Sequence, residues 1–153
     1  MLREGEYAPD FTLESSDGKT FRLYEELGKQ KYLVLFFFPK ANTPGCTREA
    51  ARFQELVFEF EKLSARVVGI SVDNPGSQEK FRSKLGLTYI LLSDKEKKVS
   101  SLYGVLRERG ASAERVTFII DSSGRILRVI KNVKPEEHPE LALEFLRSVE
   151  GKQ

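Results

Sequence analysis

The sequence has 153 residues, with 25 Lys and Arg against 23 Asp and Glu, and a formal net charge of +2. A chain of this length is typical of one domain with a substantial core, and so small a net charge argues against nucleic acid as the main partner. No apolar run is long enough for a transmembrane helix and residues 1–6 lack the apolar stretch of a secretory signal, so we expect a cytoplasmic protein without a membrane partner.

Two chemically informative residue types occur only once. Cys46 is the single cysteine and His138 is the single histidine. One cysteine excludes an internal disulfide, a CxxC redox pair and a thiolate metal centre, and one histidine excludes a multi-histidine metal site. We therefore expect no metal site of these kinds. We also expect no organic cofactor.

The first predicted elements are extended. Residues 11–13 and 20–23 flank the Asp-Gly pair at 17–18, which is a hairpin turn signal, so they predict an N-terminal β-hairpin. Residues 32–38 form an unbroken apolar run of strand length. Such a run indicates a central strand that is covered on both faces, and Pro39 ends it.

A helix is predicted to follow this strand. Threonine is a favoured N-cap and proline is favoured at the first helical position, so Thr43-Pro44 indicates a helix start. Apolar residues then recur at helical spacing as far as Leu63. We predict one helix over residues 44–63.

The rest of the chain alternates strands with amphipathic segments. Further strands are predicted at 66–72, 90–92, 115–120 and 125–130. Further helices are predicted at 77–85, 93–103 and 136–149. Ser77 is the predicted N-cap of the first of these helices, and Gly86 is predicted to close it. This alternation predicts an α/β fold, with helices flanking a central sheet in a single domain over residues 1–153.

The junction between the apolar strand and the helix at 44 carries the cysteine. With Thr43 as N-cap, Cys46 is the third helical residue, where backbone N–H groups lack intrahelical acceptors and act as roughly half a positive charge. A thiolate, the reactive form, is favoured there, although a buried structural thiol is the alternative. The helix end supplies only about 0.3–2 kcal/mol. A reactive Cys46 therefore needs a second partner, such as the Thr43 hydroxyl or an arginine from another strand.

Residues 39–46, PKANTPGC, resemble the Pro-x-x-x-Thr-x-x-Cys active-site signature of peroxiredoxins. The longer stretch 37–50 is similar to the bacterioferritin comigratory protein, or peroxiredoxin Q, branch of that family. Core segments of the family are also resembled by residues 8–13, 68–73, 92–94 and 115–121. The resemblance implies a thioredoxin-like fold of the peroxiredoxin type, with a central mixed β-sheet flanked by helices. It also implies a thiol-dependent peroxidase that serves antioxidant defence.

The same resemblance implies the roles of four residues. Cys46 is expected to attack a hydroperoxide and to become a sulfenic acid, so that hydrogen peroxide or an organic hydroperoxide is reduced to water or an alcohol. Thr43 is expected to hydrogen-bond the peroxide and the sulfur, and Pro39 to shield the sulfur. Arg115 is expected to favour the thiolate and to steady the charge on the leaving oxygen.

The sequence departs from this branch at one position. Many members place a resolving cysteine five residues after the first, and here that position is Ala51. Whether Ala51 is native or replaces a cysteine stays open. The single cysteine implies a one-cysteine mechanism, in which thioredoxin, glutaredoxin or a small thiol reduces the sulfenic acid. The sequence leaves both a monomer and a homodimer open.

Other functions are weaker candidates. A cysteine hydrolase needs His138 as its base, and His138, between Glu137 and Pro139 at a predicted helix start, is expected to be exposed. A non-enzymatic thioredoxin-fold binder or holdase chaperone is the alternative to the peroxidase. Glu49, one turn after Cys46, is expected simply to favour the helix start.

Overall fold

The computed structural model describes residues 1–152. The strands are β1 (Thr12–Ser15), β2 (Thr20–Arg22), β3 (Tyr32–Phe37), β4 (Ala65–Ser71), β5 (Leu91–Ser93), β6 (Val116–Asp121) and β7 (Ile126–Ile130). The helices are α1 (Leu23–Glu26), α2 (Pro44–Glu55), α3 (Val57–Lys62), α4 (Pro75–Leu85), α5 (Lys98–Leu102) and α6 (Glu137–Glu150), with a 3₁₀ turn at Leu27–Lys29.

The seven strands form one mixed sheet in the order β2-β1-β5-β4-β3-β6-β7. Strand β3 pairs in parallel with β4 and antiparallel with β6, which places it in the interior of the sheet. The predicted hairpin is confirmed, because β1 pairs antiparallel with β2. Helix α4 connects the parallel strands β4 and β5 as a crossover, which is the usual way to join parallel neighbours.

The central strand explains the layered core. Every residue of β3 is buried, as the unbroken apolar run predicts. Its alternate side chains enter two separate hydrophobic clusters, since successive residues of a strand point to opposite faces. Phe36 stacks on Phe53 of α2, with ring centroids 4.4 Å apart. Cys46 belongs to this same cluster, so the packing of α2 on β3 positions the sulfur.

The predicted helix over 44–63 is wrong in one respect, because the chain forms two helices there. Leu56 separates α2 from α3 with backbone angles of φ −99° and ψ 4°. One residue outside helical geometry leaves the apolar spacing on either side nearly unchanged. The periodicity of apolar residues therefore does not reveal the break.

Two other predicted helices begin elsewhere. Asn74, not Ser77, is the N-cap of the helix that ends at Gly86, and its side chain accepts a hydrogen bond from the backbone N–H of Ser77 at 2.8 Å. The predicted helix over 93–103 is reduced to α5, because Ser93 ends β5 and buried Asp94 caps the helix through the N–H groups at 99 and 100. A buried carboxylate satisfies these free helix donors, and the polar residues before them form a turn.

Across residues 1–152, no helix is both long and apolar enough to cross a membrane.

Candidate active site

The loop between β3 and α2 lies beyond the carboxyl ends of two parallel strands, where sites in open α/β sheets are usually found. The backbone N–H of Phe38 donates to the Ile70 carbonyl at 3.0 Å. The backbone N–H of Ala41 donates to the Asp73 carboxylate at 2.8 Å. These two hydrogen bonds fix the loop to the end of β4, and the loop in turn fixes where α2 begins.

Cys46 lies in the first turn of α2 and is 1% exposed. Its Sγ atom is 3.6 Å from both Nη1 and Nη2 of Arg115. The residue also contributes to the wall of a surface pocket of about 610 Å³. The other three predicted site residues, Pro39, Thr43 and Arg115, line the same pocket. The structure therefore brings all four together, around a sulfur that is covered but borders an open pocket.

Sheet register explains why a residue 69 positions later reaches the cysteine. Val116 at the start of β6 pairs with Phe37 at the end of β3. Arg115, one residue earlier, thus lies at the end of the sheet where the cysteine loop begins. Gly45 leaves room for its guanidinium, because a Cβ at position 45 would lie 3.1 Å from Arg115 Nη2.

Thr43 occupies the N-cap position, but its side chain makes no capping hydrogen bond. Its hydroxyl instead donates to the Lys40 carbonyl at 2.7 Å, so its proton is not directed to the sulfur. The hydroxyl oxygen retains lone pairs that can accept a hydrogen bond from a bound molecule.

Glu49 has a larger part in the site than its expected effect on the helix start. It is fully buried, and Arg115 Nη1 donates to its Oε1 at 2.7 Å. Burial raises the pKa of Glu49 from 4.5 to about 8, although the positive charge of Arg115 acts in the opposite direction. A sequence signal exists, because Glu49, Ala50 and Phe53 follow Cys46 by three, four and seven residues and share its buried helix face.

The expected exposure of His138 is wrong, since the residue is fully buried. The first turn of α6 packs on the sheet, so His138 Nδ1 lies 2.9 Å from Thr117 Oγ1 and 3.7 Å from Glu49 Oε2. Burial and the nearby charge of Arg115 lower the pKa of His138 to about 4. In residues 1–152, no group of three or more His, Cys, Asp and Glu side chains is placed to hold a metal ion.

Glu49→Gln should change how stability depends on pH. The pKa of Glu49 is raised in the folded chain, so its contribution is complete below about pH 4.5 and is lost as the pH rises to about 8. The variant should therefore gain on the parent by roughly 1.4 kcal/mol per pH unit across this range. Denaturant unfolding at several pH values measures the difference. Glu55→Gln, an exposed position in the same helix, is the matched control and should run parallel to the parent.

Comparison with known proteins assigns the family. Residues 5–129 match the AhpC/TSA family. The putative peroxiredoxin bcp of Helicobacter pylori strain J99 is 44% identical over 151 residues, covering 95% of this chain and 98% of the relative. The peroxiredoxin Bcp of Bacillus subtilis is 36% identical over 154 residues, covering 97% of each chain. The crystal structure of peroxidoxin BcpB from Mycobacterium tuberculosis aligns with a TM-score of 0.92 at 37% identity, covering 97% of this chain and 99% of that one.

The chain thus belongs to the AhpC/TSA family, and its fold is the thioredoxin-like fold of peroxiredoxins. Within that family its relatives are the Bcp and peroxiredoxin Q proteins, as the resemblance of the stretch 37–50 predicts. The protein is a thiol peroxidase, and its single cysteine is consistent with a one-cysteine mechanism.

Proposed function

We propose that Cys46 is the attacking thiolate of a hydroperoxide reductase and that Arg115, Thr43 and Pro39 assist it. The contact that carries this proposal is the 3.6 Å approach of both terminal nitrogens of Arg115 to Cys46 Sγ. A guanidinium and the free N–H groups of a helix start both favour negative charge on the sulfur.

The chemical step is a nucleophilic substitution at oxygen. The Cys46 thiolate attacks the terminal O–H oxygen of the hydroperoxide, so an S–O bond forms as the O–O bond breaks. The electron pair of the broken bond leaves on the other oxygen, which takes a proton from solvent to give an alcohol, or water from hydrogen peroxide. Sulfur is oxidised to the sulfenic acid and the peroxide is reduced. Arg115 stabilises the negative charge as it moves from sulfur to the leaving oxygen.

Thr43 and Pro39 position the peroxide. The Thr43 hydroxyl donates its hydrogen bond to the Lys40 backbone carbonyl, so its oxygen can accept a hydrogen bond from the O–H of the peroxide. Pro39 lines the pocket beside the sulfur and limits access of water to the thiolate. The Xanthomonas campestris bacterioferritin comigratory protein, 29% identical with a TM-score of 0.83, is described with alkyl peroxide reduction activity. That relative supports organic hydroperoxides as substrates here.

The catalytic cycle is completed by an external thiol. Ala51 stands where many relatives of this branch carry a resolving cysteine, and no second cysteine exists in the sequence. An external thiol attacks the sulfenic sulfur, releasing water and forming a mixed disulfide, and a second thiol then frees Cys46. Thioredoxin, glutaredoxin or a small thiol supplies these electrons. We place this activity in a cytoplasmic, single-domain protein that works as a monomer or homodimer in antioxidant defence.

Peroxide treatment in the presence of a sulfenic-acid trap tests this function. We expect mass spectrometry to find one adduct, on Cys46, because a thiolate attack on peroxide leaves a sulfenic acid there. A physiological reductant added before the trap should prevent the adduct, because it returns the sulfenic acid to the thiol. Candidate reductants can be ranked by how completely they do so. Protein that stays unmodified under excess peroxide would contradict the mechanism.

A further inference from the structure

The site holds two buried acids that contact one cation. Arg115 Nη1 lies 3.6 Å from Cys46 Sγ and 2.7 Å from Glu49 Oε1. Both acids are removed from solvent, with Cys46 1% and Glu49 0% exposed. A buried anion is stable only when it is paired, and a single guanidinium cannot neutralise two negative charges. Thiolate and carboxylate therefore compete for Arg115.

His138 gives Glu49 a second neighbour. His138 Nδ1 is 3.7 Å from Glu49 Oε2, and both side chains are fully buried. Glu49 Oε2 and His138 Nε2 are buried atoms that lack a hydrogen-bond partner within the described chain. If Glu49 and His138 are neutral as a pair, neither leaves an unpaired charge buried in the protein, which would be costly. One proton achieves this, either on the carboxyl group or on the imidazole, and the two arrangements carry the same net charge.

We propose that Glu49 and His138 hold one shared proton at neutral pH, so that the pair is electrically neutral and leaves the positive charge of Arg115 to the Cys46 thiolate. Both residues then act through Arg115 as positioning residues. This inference rests on the proposed role of Cys46 as the attacking thiolate.

The other titratable and charged groups around Glu49 are consistent with a neutral Glu49–His138 pair. Tyr89 is neutral, because burial and the proximity of Glu49 raise its pKa, and its hydroxyl donates to the Ala50 carbonyl at 2.7 Å. The charged side chains that link α2 to α6 are paired on the exposed side. They are Arg48 with Glu136 at 2.9 Å and Arg52 with Glu140 at 3.2 Å. Burial also raises the pKa of Glu49 to about 8 and lowers that of His138 to about 4, so the pair retains one proton at neutral pH.

The proposal predicts an alkaline limit on reactivity. When the pair loses its proton, Glu49 becomes an anion and draws Arg115 away from the sulfur and the leaving oxygen. We expect the second-order rate of Cys46 oxidation in the parent to fall about fivefold or more above a midpoint near pH 8. Stopped-flow measurements with hydrogen peroxide across the pH range determine this profile, each variant being normalised to its own maximum.

Glu49→Gln is the decisive variant, because glutamine keeps the shape and an acceptor oxygen but cannot ionise. We expect its profile to lose the alkaline fall, while Glu55→Gln, exposed in the same helix, keeps it. We also expect the ultraviolet absorbance of the thiolate at mildly acidic pH to match that of the parent. If Glu49 were instead ionised in the parent, its negative charge would disfavour the Cys46 thiolate. Glu49→Gln would then raise the thiolate absorbance severalfold above that of the parent.

His138→Gln removes the second site for the proton, so the alkaline fall should move to lower pH. An alkaline fall that persists in Glu49→Gln, a thiolate signal that rises severalfold in it, or an unmoved fall in His138→Gln would each overturn the shared proton. These outcomes leave the peroxidase mechanism standing. A parent protein that peroxide fails to oxidise at any pH would instead contradict the proposed function.

Discussion

Replacing Cys46 with serine is expected to reduce thiol-dependent peroxide consumption by at least about a thousandfold. The hydroxyl of serine stays protonated at neutral pH, and its oxygen is a poor nucleophile toward a peroxide. No other cysteine is present to take over the reaction. Serine is close to cysteine in size, so the helix start and its contact with Arg115 should persist. Loss of hydrogen peroxide in the presence of dithiothreitol measures the effect.

Thr47→Ser is the matched control for this experiment. Thr47 follows Cys46 in the same helical turn, and the change removes one methyl group without altering the sulfur. This control should keep the parental rate. Turnover that survives in Cys46→Ser would rule out Cys46 as the nucleophile. Chaperone activity in a parent that has no turnover would instead support the binder or holdase that is the alternative to the peroxidase.

The architecture was accessible from sequence because hydrophobic periodicity and turn residues are local signals. The apolar run at 32–38 specifies a strand covered on both faces, and the structure confirms it as β3, a fully buried interior strand of the sheet. The incorrect helix bounds also have local causes. The break at Leu56 does not disturb the apolar stripe, and the polar residues after Ser93 form a turn that a buried aspartate organises.

The sequence predicts the contact between Cys46 and Arg115, but not the buried Glu49 and His138 beside them. Position in the chain and a family signature were enough to name Cys46 and Arg115, which the structure places 3.6 Å apart. From sequence, Glu49 is expected only to favour the helix start and His138 to be exposed, because charged and polar residues are seldom fully buried. Their burial depends on the packing of α2, α6 and β6 around Arg115. Helical spacing does place Glu49 on the buried face of α2, but its contacts with Arg115 and His138 join distant parts of the chain and cannot be derived from spacing.

Arg115→Ala is expected to slow the oxidation of Cys46 by hydrogen peroxide about 100- to 1000-fold. The guanidinium contacts the sulfur through two nitrogens, so its removal withdraws charge stabilisation from the thiolate and from the leaving oxygen. The second-order rate, followed by stopped flow at one fixed pH, checks this prediction. Arg48→Ala removes an exposed arginine from α2 and should change that rate less than about twofold.

Arg115→Lys should give an intermediate rate. Lysine keeps the positive charge, but its single ammonium group lacks the planar fork of donors that lets Arg115 reach both Cys46 and Glu49. A lysine variant as slow as the alanine variant would show that geometry matters more than charge. Full parental activity in it would show that charge alone is sufficient.

Stability must be separated from chemistry in the alanine variant. Removing Arg115 strands a fully buried carboxyl group without its hydrogen-bond donor, which typically costs about 1–3 kcal/mol. The loss should be smaller at lower pH, because the raised pKa of Glu49 lets the stranded group take up a proton. Adding Glu49→Gln to Arg115→Ala should restore most of the stability without restoring the rate. A double variant that recovers both, or an alanine variant with an unchanged second-order rate, would remove Arg115 from the catalytic step.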